Sequence, residues 1–367
     1  MNPVIPAPVP VPLPAPVWLL QLLLVFTFVL HLAAMNFLVG GSAILAVSSW
    51  RCRSDPRHRE LTRRACTAMP PVVAFTITLG VAPLLFLQLV YGQLFYTSSV
   101  IMAWSWLSVV GLLMLGYYGV YGYALQHDEL GPRALWVAAG VGVAFLLIAM
   151  IFTQNMSLML RPQDFYSLYL SKTVGNHLGS FQAVTLTRFL HFAVAAMAIA
   201  GLGLALLSRR WQADSPDFAA WARGYGVRWF LAASGVEVVV GFGFLFALPP
   251  NIRASFLGRD TLSTSILSLG IVLAVLAMLA ARKSLAVACV AIFGTISLMA
   301  VVRHLVRVAY LRPYFDPHTL PVSGQWFVFA LFALLLVAGI ATLAWMLYQF
   351  FRPAATGEVS AGDRHAV

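Results

Sequence analysis

Nine runs of apolar residues, near or above the ~20 residues that cross a bilayer as a helix, constrain this chain more than any other feature. They fall near 18–49, 72–96, 99–125, 134–159, 183–207, 227–248, 262–281, 284–306 and 325–350, and Arg, Pro and short polar stretches separate them. Within hydrocarbon a segment must satisfy its own backbone N–H and C=O groups, which a helix does and an open strand does not. Transmembrane strands would be ~10 residues long and would alternate in polarity, and these runs do neither. The expected fold is an all-α integral membrane bundle of about nine helices. Charged residues make up 10% of the chain and hydrophobic ones 61%, against ~25% charged in a soluble domain, which excludes disorder, a fibrous repeat and an ordinary soluble enzyme.

Residues 1–17 open with MNPVIPAPVPVPLPAP, an uncharged alternation of Pro with small apolar residues that favours extended polyproline II, and they read as an exposed leader. The segment lacks the basic start and small-residue cleavage site of a secretory signal, so the first helix is expected to stay. Residues 18–350 then form the membrane domain and 351–367 a tail. Of the 23 basic residues 21 are Arg, and they sit in short loops, which makes them a topology signal rather than a nucleic-acid footprint. Loops 50–71, 126–133, 208–228 and 282–283 with the tail hold 15 of them, and the alternate set holds 8. The richer side is expected in the cytoplasm, with the N-terminus outside and the C-terminus inside. Cys52, Cys66 and Cys289 form neither CxxC nor CxxCH, which argues against cysteine-held zinc and covalently attached haem. Glycine pairs such as Gly40-Gly41 and Gly201/Gly203 are expected where helices approach closely.

Ionisable residues inside a bilayer are costly and are functional candidates for that reason. Four stand out: His31 in the first run, His191 in the fifth, His304 near the end of the eighth, and Glu237 in the sixth. At ~1.5 Å of rise per residue, all three histidines fall in the outer half of the membrane. Neutral imidazole is a good axial ligand for haem iron, and a helix bundle supplies a dry slot for a porphyrin. Propionates would need cations, and Arg188, one turn before His191, lies at the same level as Arg253, Arg303 and Arg307. The alternative is that each histidine hydrogen-bonds a neighbouring helix and holds no metal. Glu237, expected near mid-membrane, is either a proton relay or a carboxyl bonded to a neighbouring helix. His304, among Arg303, Arg307, Tyr310 and Arg312, is either part of a helix anchor or a further ligand. His177, in an expected outer loop, is either exposed or part of a quinol site.

The local sequences around these residues resemble subunit I of the cytochrome bd-type quinol oxidases. The first run, FTFVLHLAAMNFLVGG, is similar to that family's opening helix, with His31 and Gly40 in the matching places. The second, TLGVAPLLFLQLVYGQ, resembles its LGVA element, here with Gly80 and Gly92. The fourth ends on Gln154 and Asn155, and the fifth, TRFLHFAVAAMAIAG, resembles its basic-x-x-His segment through Arg188 and His191. The resemblance spans roughly residues 18–248. It implies haem b as cofactor, His191 and His31 as iron ligands, quinol as electron donor, a second membrane subunit as partner, and the bacterial inner membrane as location.

The departures are equally specific. The third run, IMAWSWLSVVGLLMLGYYGVY, carries none of the acidic residues the family places there, and the outer loop 249–261 is short. No Arg-x-Met segment supplies a second axial ligand, which leaves Met278 and Met299 by elimination, and no glutamate occurs between Glu237 and Glu358. Oxygen reduction brings four electrons and four protons to one site, whereas moving electrons needs only a ligated haem with a donor and an acceptor in reach. The expected function is therefore a haem b electron-transfer subunit that oxidises quinol and hands electrons to a partner, such as a periplasmic carrier, at the outer face. Quinol:oxygen oxidoreductase is the second reading, and a haem-free transporter or structural subunit the third, although no internal repeat of a transporter kind is visible.

Overall fold

The computed structural model describes residues 6–8, 11–171, 175 and 182–351. Among them, nine helices are long and apolar enough to cross a membrane. These are α1 (Val17–Arg51), α2 (Met69–Ile101), α3 (Ala103–Leu125), α4 (Ala134–Met159), α5 (Ala183–Leu207), α6 (Pro216–Ala247), α7 (Thr261–Ala280), α8 (Leu285–Leu311) and α9 (Trp326–Phe351). The chain is a multi-pass helical membrane protein, as its apolar runs require. The connections 52–68 (which contains a short helix, Pro56–Ala65), 126–133, 208–215 and 281–284 share one end of the bundle, called here the basic end; those between α4 and α5, α6 and α7, and α8 and α9 share the opposite end.

Local chemistry sets the helix starts. Prolines occupy the first turns of α2 and α6, where a missing N–H leaves no bond unmade. Asp260 caps α7 by accepting from the Ser263 N–H at 3.0 Å, a bond that holds its carboxyl below the usual carboxylate range. Ser284 caps α8 in the same way. Two helices outrun their apolar stretches. α6 begins at Pro216 rather than near 227, because Ala219, Ala222 and Tyr225 pack against Ile44, Leu61 and Trp211 beyond the apolar run. α8 continues past 306 to Leu311, with Arg307 and Leu311 buried. Pro83 lies inside α2, and Tyr91 further along departs from helical geometry.

Of the proline-rich start expected as an exposed leader, residues 6–8, 11 and 12 are exposed, whereas its end packs on the bundle. Leu13 and Ala15 are buried, because Leu13 pairs with the strand-like segment around Val322: its N–H donates to Pro321 O at 2.7 Å and its carbonyl accepts from Ser323 N at 2.9 Å. A proline-rich chain is already extended, so the remaining donors and acceptors are presented along its edge. The tail beyond 351 lies outside the described residues.

α1 is the central helix and packs against α2, α4, α5 and α8. Its contact with α5 depends on Gly40, where an added Cβ would meet the Ala196 carbonyl oxygen at 2.0 Å. α5 and α6 cross still more closely at Gly201 and Gly226: a Cβ on Gly201 would lie 2.6 Å from Phe230 N, and one on Gly226 would lie 2.5 Å from Gly201 O. In lipid, such backbone approach supplies the packing that water would otherwise drive. α9 stands at the periphery with no buried residue, attached through contacts such as Phe86 on Phe332. Gln154 and Asn155 are buried at the opposite end of α4, and Asn155 bonds Ser98 and Ser99 of α2 at 3.2 and 3.1 Å. The Asn155 amide of that motif therefore ties α4 to α2.

Candidate functional site

His31 projects from α1 against α2. Its Nδ1 lies 3.0 Å from the backbone carbonyl of Thr76, so in the tautomer this bond selects, Nδ1 carries the proton and donates it. One turn further along α2, Gly80 makes room for the ring: a Cβ there would meet His31 Cε1 at 2.9 Å and Nδ1 at 3.0 Å. The glycine that the sequence places in an LGVA element is thus the seat of the imidazole. Among the described residues nothing hydrogen-bonds Nε2.

His191 repeats the arrangement between α5 and α6. Its Nδ1 is in ion-pair contact with Glu237 Oε1, although neither atom meets hydrogen-bond geometry with any partner among the described residues. Gly241, one turn beyond Glu237, lies against the same ring edge, 3.5 Å from Nδ1 to an added Cβ, and Phe244 lies 5.8 Å away between ring centroids. The His191 side chain is 25% exposed, so the ring is not sealed on all sides. Each histidine therefore turns Nδ1 to an acceptor on the next helix, four residues before a glycine, by a hydrogen bond at His31 and by close contact at His191. Iron-ligating histidines are oriented in this way.

Glu237 keeps its expected depth, and of the two roles left open for it the structure shows contact with a neighbouring helix, at His191. With α6 ending at Ala247, Glu237 lies about ten residues (~15 Å) from the opposite end of its helix, and His191 lies about eight (~12 Å) from the same end of its own. The shared depth was present in the sequence, measured from the loop 249–261.

Arginines surround this layer. Arg188 is buried, with Nη1 donating to Ser157 Oγ at 2.9 Å and its guanidinium 5.4 Å from the Phe244 ring. Arg303 lies 4.3 Å over Phe28, whose ring neighbours His31. Arg307, also buried, lies 5.5 Å from the Tyr91 ring. Arg303 is in electrostatic reach of both Arg188 and Arg307, and no carboxylate is paired with any of the three among the described residues. Three cations in the low-dielectric interior without an anion repel one another, and an anionic ligand would relieve that repulsion. At the opposite end, a cavity of about 500 Å³ is lined by Arg161, Gln182, Phe246, Arg253 and Tyr310 among others. Arg161 pairs with Asp164 at 2.9 Å, yet its Nε and Nη2 are buried without a partner among the described residues.

The other expected residues divide. His304 sits beside Arg303 and Arg307 with Nδ1 buried and without a partner among the described residues. Met299 packs on Gly270 of α7, a little deeper than His191, whereas Met278 lies near the basic end, at the wrong depth to share a site with His191. Arg253 is turned to the Phe246 carbonyl at 2.9 Å, apart from the three grouped arginines. His177 lies outside the described residues. The donor set fits a haem: two imidazoles with Nε2 unengaged, and unpaired cations at the same level for propionates. Among the described residues no three His, Cys, Asp or Glu side chains gather as a site for a bare metal ion.

No protein-family model matches the sequence, and no curated protein matches it. The fold does have solved counterparts. One is a structure of bd oxidase from Geobacillus thermodenitrificans, which superposes with a TM-score of 0.70 over 93% of this chain and 99% of that one at 15% identity. The chain therefore shares the fold of that bd oxidase structure.

Proposed function

We propose that this protein is a haem b-binding membrane electron-transfer subunit that oxidises quinol and delivers electrons to a partner at the opposite end of the bundle, on the outer face of a bacterial inner membrane. One observation carries the reading: His31 and His191, on separate spans, each have Nδ1 engaged by a neighbouring helix and Nε2 left for iron. Haem, when bound, supplies reversible one-electron chemistry. The chain's own part is to present the two imidazoles, to exclude water with apolar helices, and to offset propionate charge with Arg188, Arg303 and Arg307. Arg161 and Tyr310, at the rim of the end cavity, offer N–H and O–H donors to the oxygens of a quinol head group.

The likeness in fold to a bd oxidase favours a second reading, quinol:oxygen oxidoreductase. Against it stands the acid content of the spans: apart from Asp217 at the start of α6, Glu237 is the one carboxyl in all nine, and it is engaged with His191. A route carrying protons from the basic end to an oxygen site has no carboxyl to use. The test is to supply a short-chain quinol to the purified, haem-loaded protein and follow haem reduction, oxygen uptake and reduction of an added c-type cytochrome. Reduction of haem and cytochrome without oxygen uptake is expected; rapid oxygen uptake would make the protein an oxidase, and no haem reduction would remove quinol as donor.

A further inference from the structure

We infer that Glu237 is the positioning residue for His191, the group that fixes which imidazole nitrogen is free to bind. The inference rests on His191 being a haem ligand and adds to it the reason that nitrogen is Nε2. Neutral imidazole has one N–H, and the nitrogen bearing it cannot bind iron. A carboxyl oxygen at Nδ1 draws the proton there and leaves the Nε2 lone pair exposed.

Three observations single out Glu237 for this role. Its Oε1 is in contact with His191 Nδ1 across the α5–α6 crossing. Its oxygens find no other partner among the described residues, although buried Arg188 is one turn away from His191 and could compensate a carboxylate more strongly than an imidazole does. Arg188 instead donates to Ser157 and lies 5.4 Å from the Phe244 ring. Third, Gly241 places bare backbone along the Nδ1–Cε1 edge one turn on, so α6 walls that whole edge and the Nε2 edge points away from it. His31 has a neutral carbonyl, Thr76 O, in the corresponding position. The two sites thus differ in the strength of the acceptor behind the ligand. A carboxyl acceptor makes imidazole a better donor and favours ferric iron, so the His191 site is biased to a lower potential than a carbonyl acceptor would give it.

The experiment uses the full chain loaded with haem b, as wild type, Glu237→Gln, Glu237→Leu and His191→Ala, and reads haem affinity, the low-spin absorption bands and the midpoint potential. Glu237→Gln keeps an acceptor oxygen but a weaker one. It is expected to retain haem and its low-spin bands while its potential moves upward; a tenfold loss of ferric preference reads as about 59 mV. Glu237→Leu removes the acceptor, and haem affinity at this site is expected to fall roughly tenfold or more. If both variants keep wild-type affinity and potential while His191→Ala loses its haem, Glu237 has no positioning role and the inference is wrong. If His191→Ala keeps the low-spin bands, the ligand assignment falls and the inference with it.

Discussion

At the scale of single residues, the site is defined by what lies behind each histidine rather than by the histidines alone. An intramembrane imidazole is equally consistent with a hydrogen bond to a neighbour and with a metal ligand. Here the two readings fall on different nitrogens: Nδ1 faces an acceptor on the next helix, and Nε2 is the nitrogen left for the proposed iron. Gly80 offers a direct handle, because a methyl group there would strike the His31 ring at 2.9 Å. Gly80→Ala is expected to displace that imidazole and remove the spectral contribution of the His31 site while leaving that of His191 in place, as read from reduced-minus-oxidised spectra. Equal loss at both sites would mean that the substitution acts on the fold instead. The sequence made His31, His191 and Arg188 legible, since each is a costly residue in an apolar run. It hid the Glu237–His191 contact, because a shared depth on two helices does not say which faces they turn to each other. The helical extension 216–226, packed onto Leu61 and Trp211, was hidden too, because its polar residues read as loop.

Among the elements, the α1–α5–α6 core carries both histidines, and its geometry depends on glycines that meet backbone rather than flexible side chains. Gly201 faces Phe230 N and Gly226 O, neither of which can move without shifting a helix. Gly201→Ala is therefore expected to destabilise the protein by about 1–3 kcal/mol, the usual range for overpacking, visible as a lower thermal midpoint in detergent. An unchanged midpoint would show that the crossing tolerates separation. The nine spans were readable from hydropathy because lipid leaves the backbone no alternative to helix. Their ends were less so: α8 runs through Arg303 and Arg307, whose charges end an apolar run without ending a helix.

For the whole molecule, the fold agrees with a solved bd oxidase at 15% identity, and the alternation of basic loops supplies an orientation to test. Reporter fusions at residue 54 and at the C-terminus are expected to report cytoplasm, and one at residue 258 the outer side; the reverse pattern would place the histidine layer near the cytoplasm and the proposed partner with it. α9, without a buried residue, contributes little to the site and leaves a broad apolar face to lipid or to another subunit. The central claim is that imidazoles on α1 and α5 ligate haem iron through Nε2. It is tested most directly by the absorption spectrum and haem content of the purified protein expressed with ample haem, compared with His31→Ala and His191→Ala. The account predicts a red protein with b-type bands, loss of the low-spin bands in His191→Ala, and a separate loss in His31→Ala. A colourless wild type, or spectra that neither substitution alters, would contradict it.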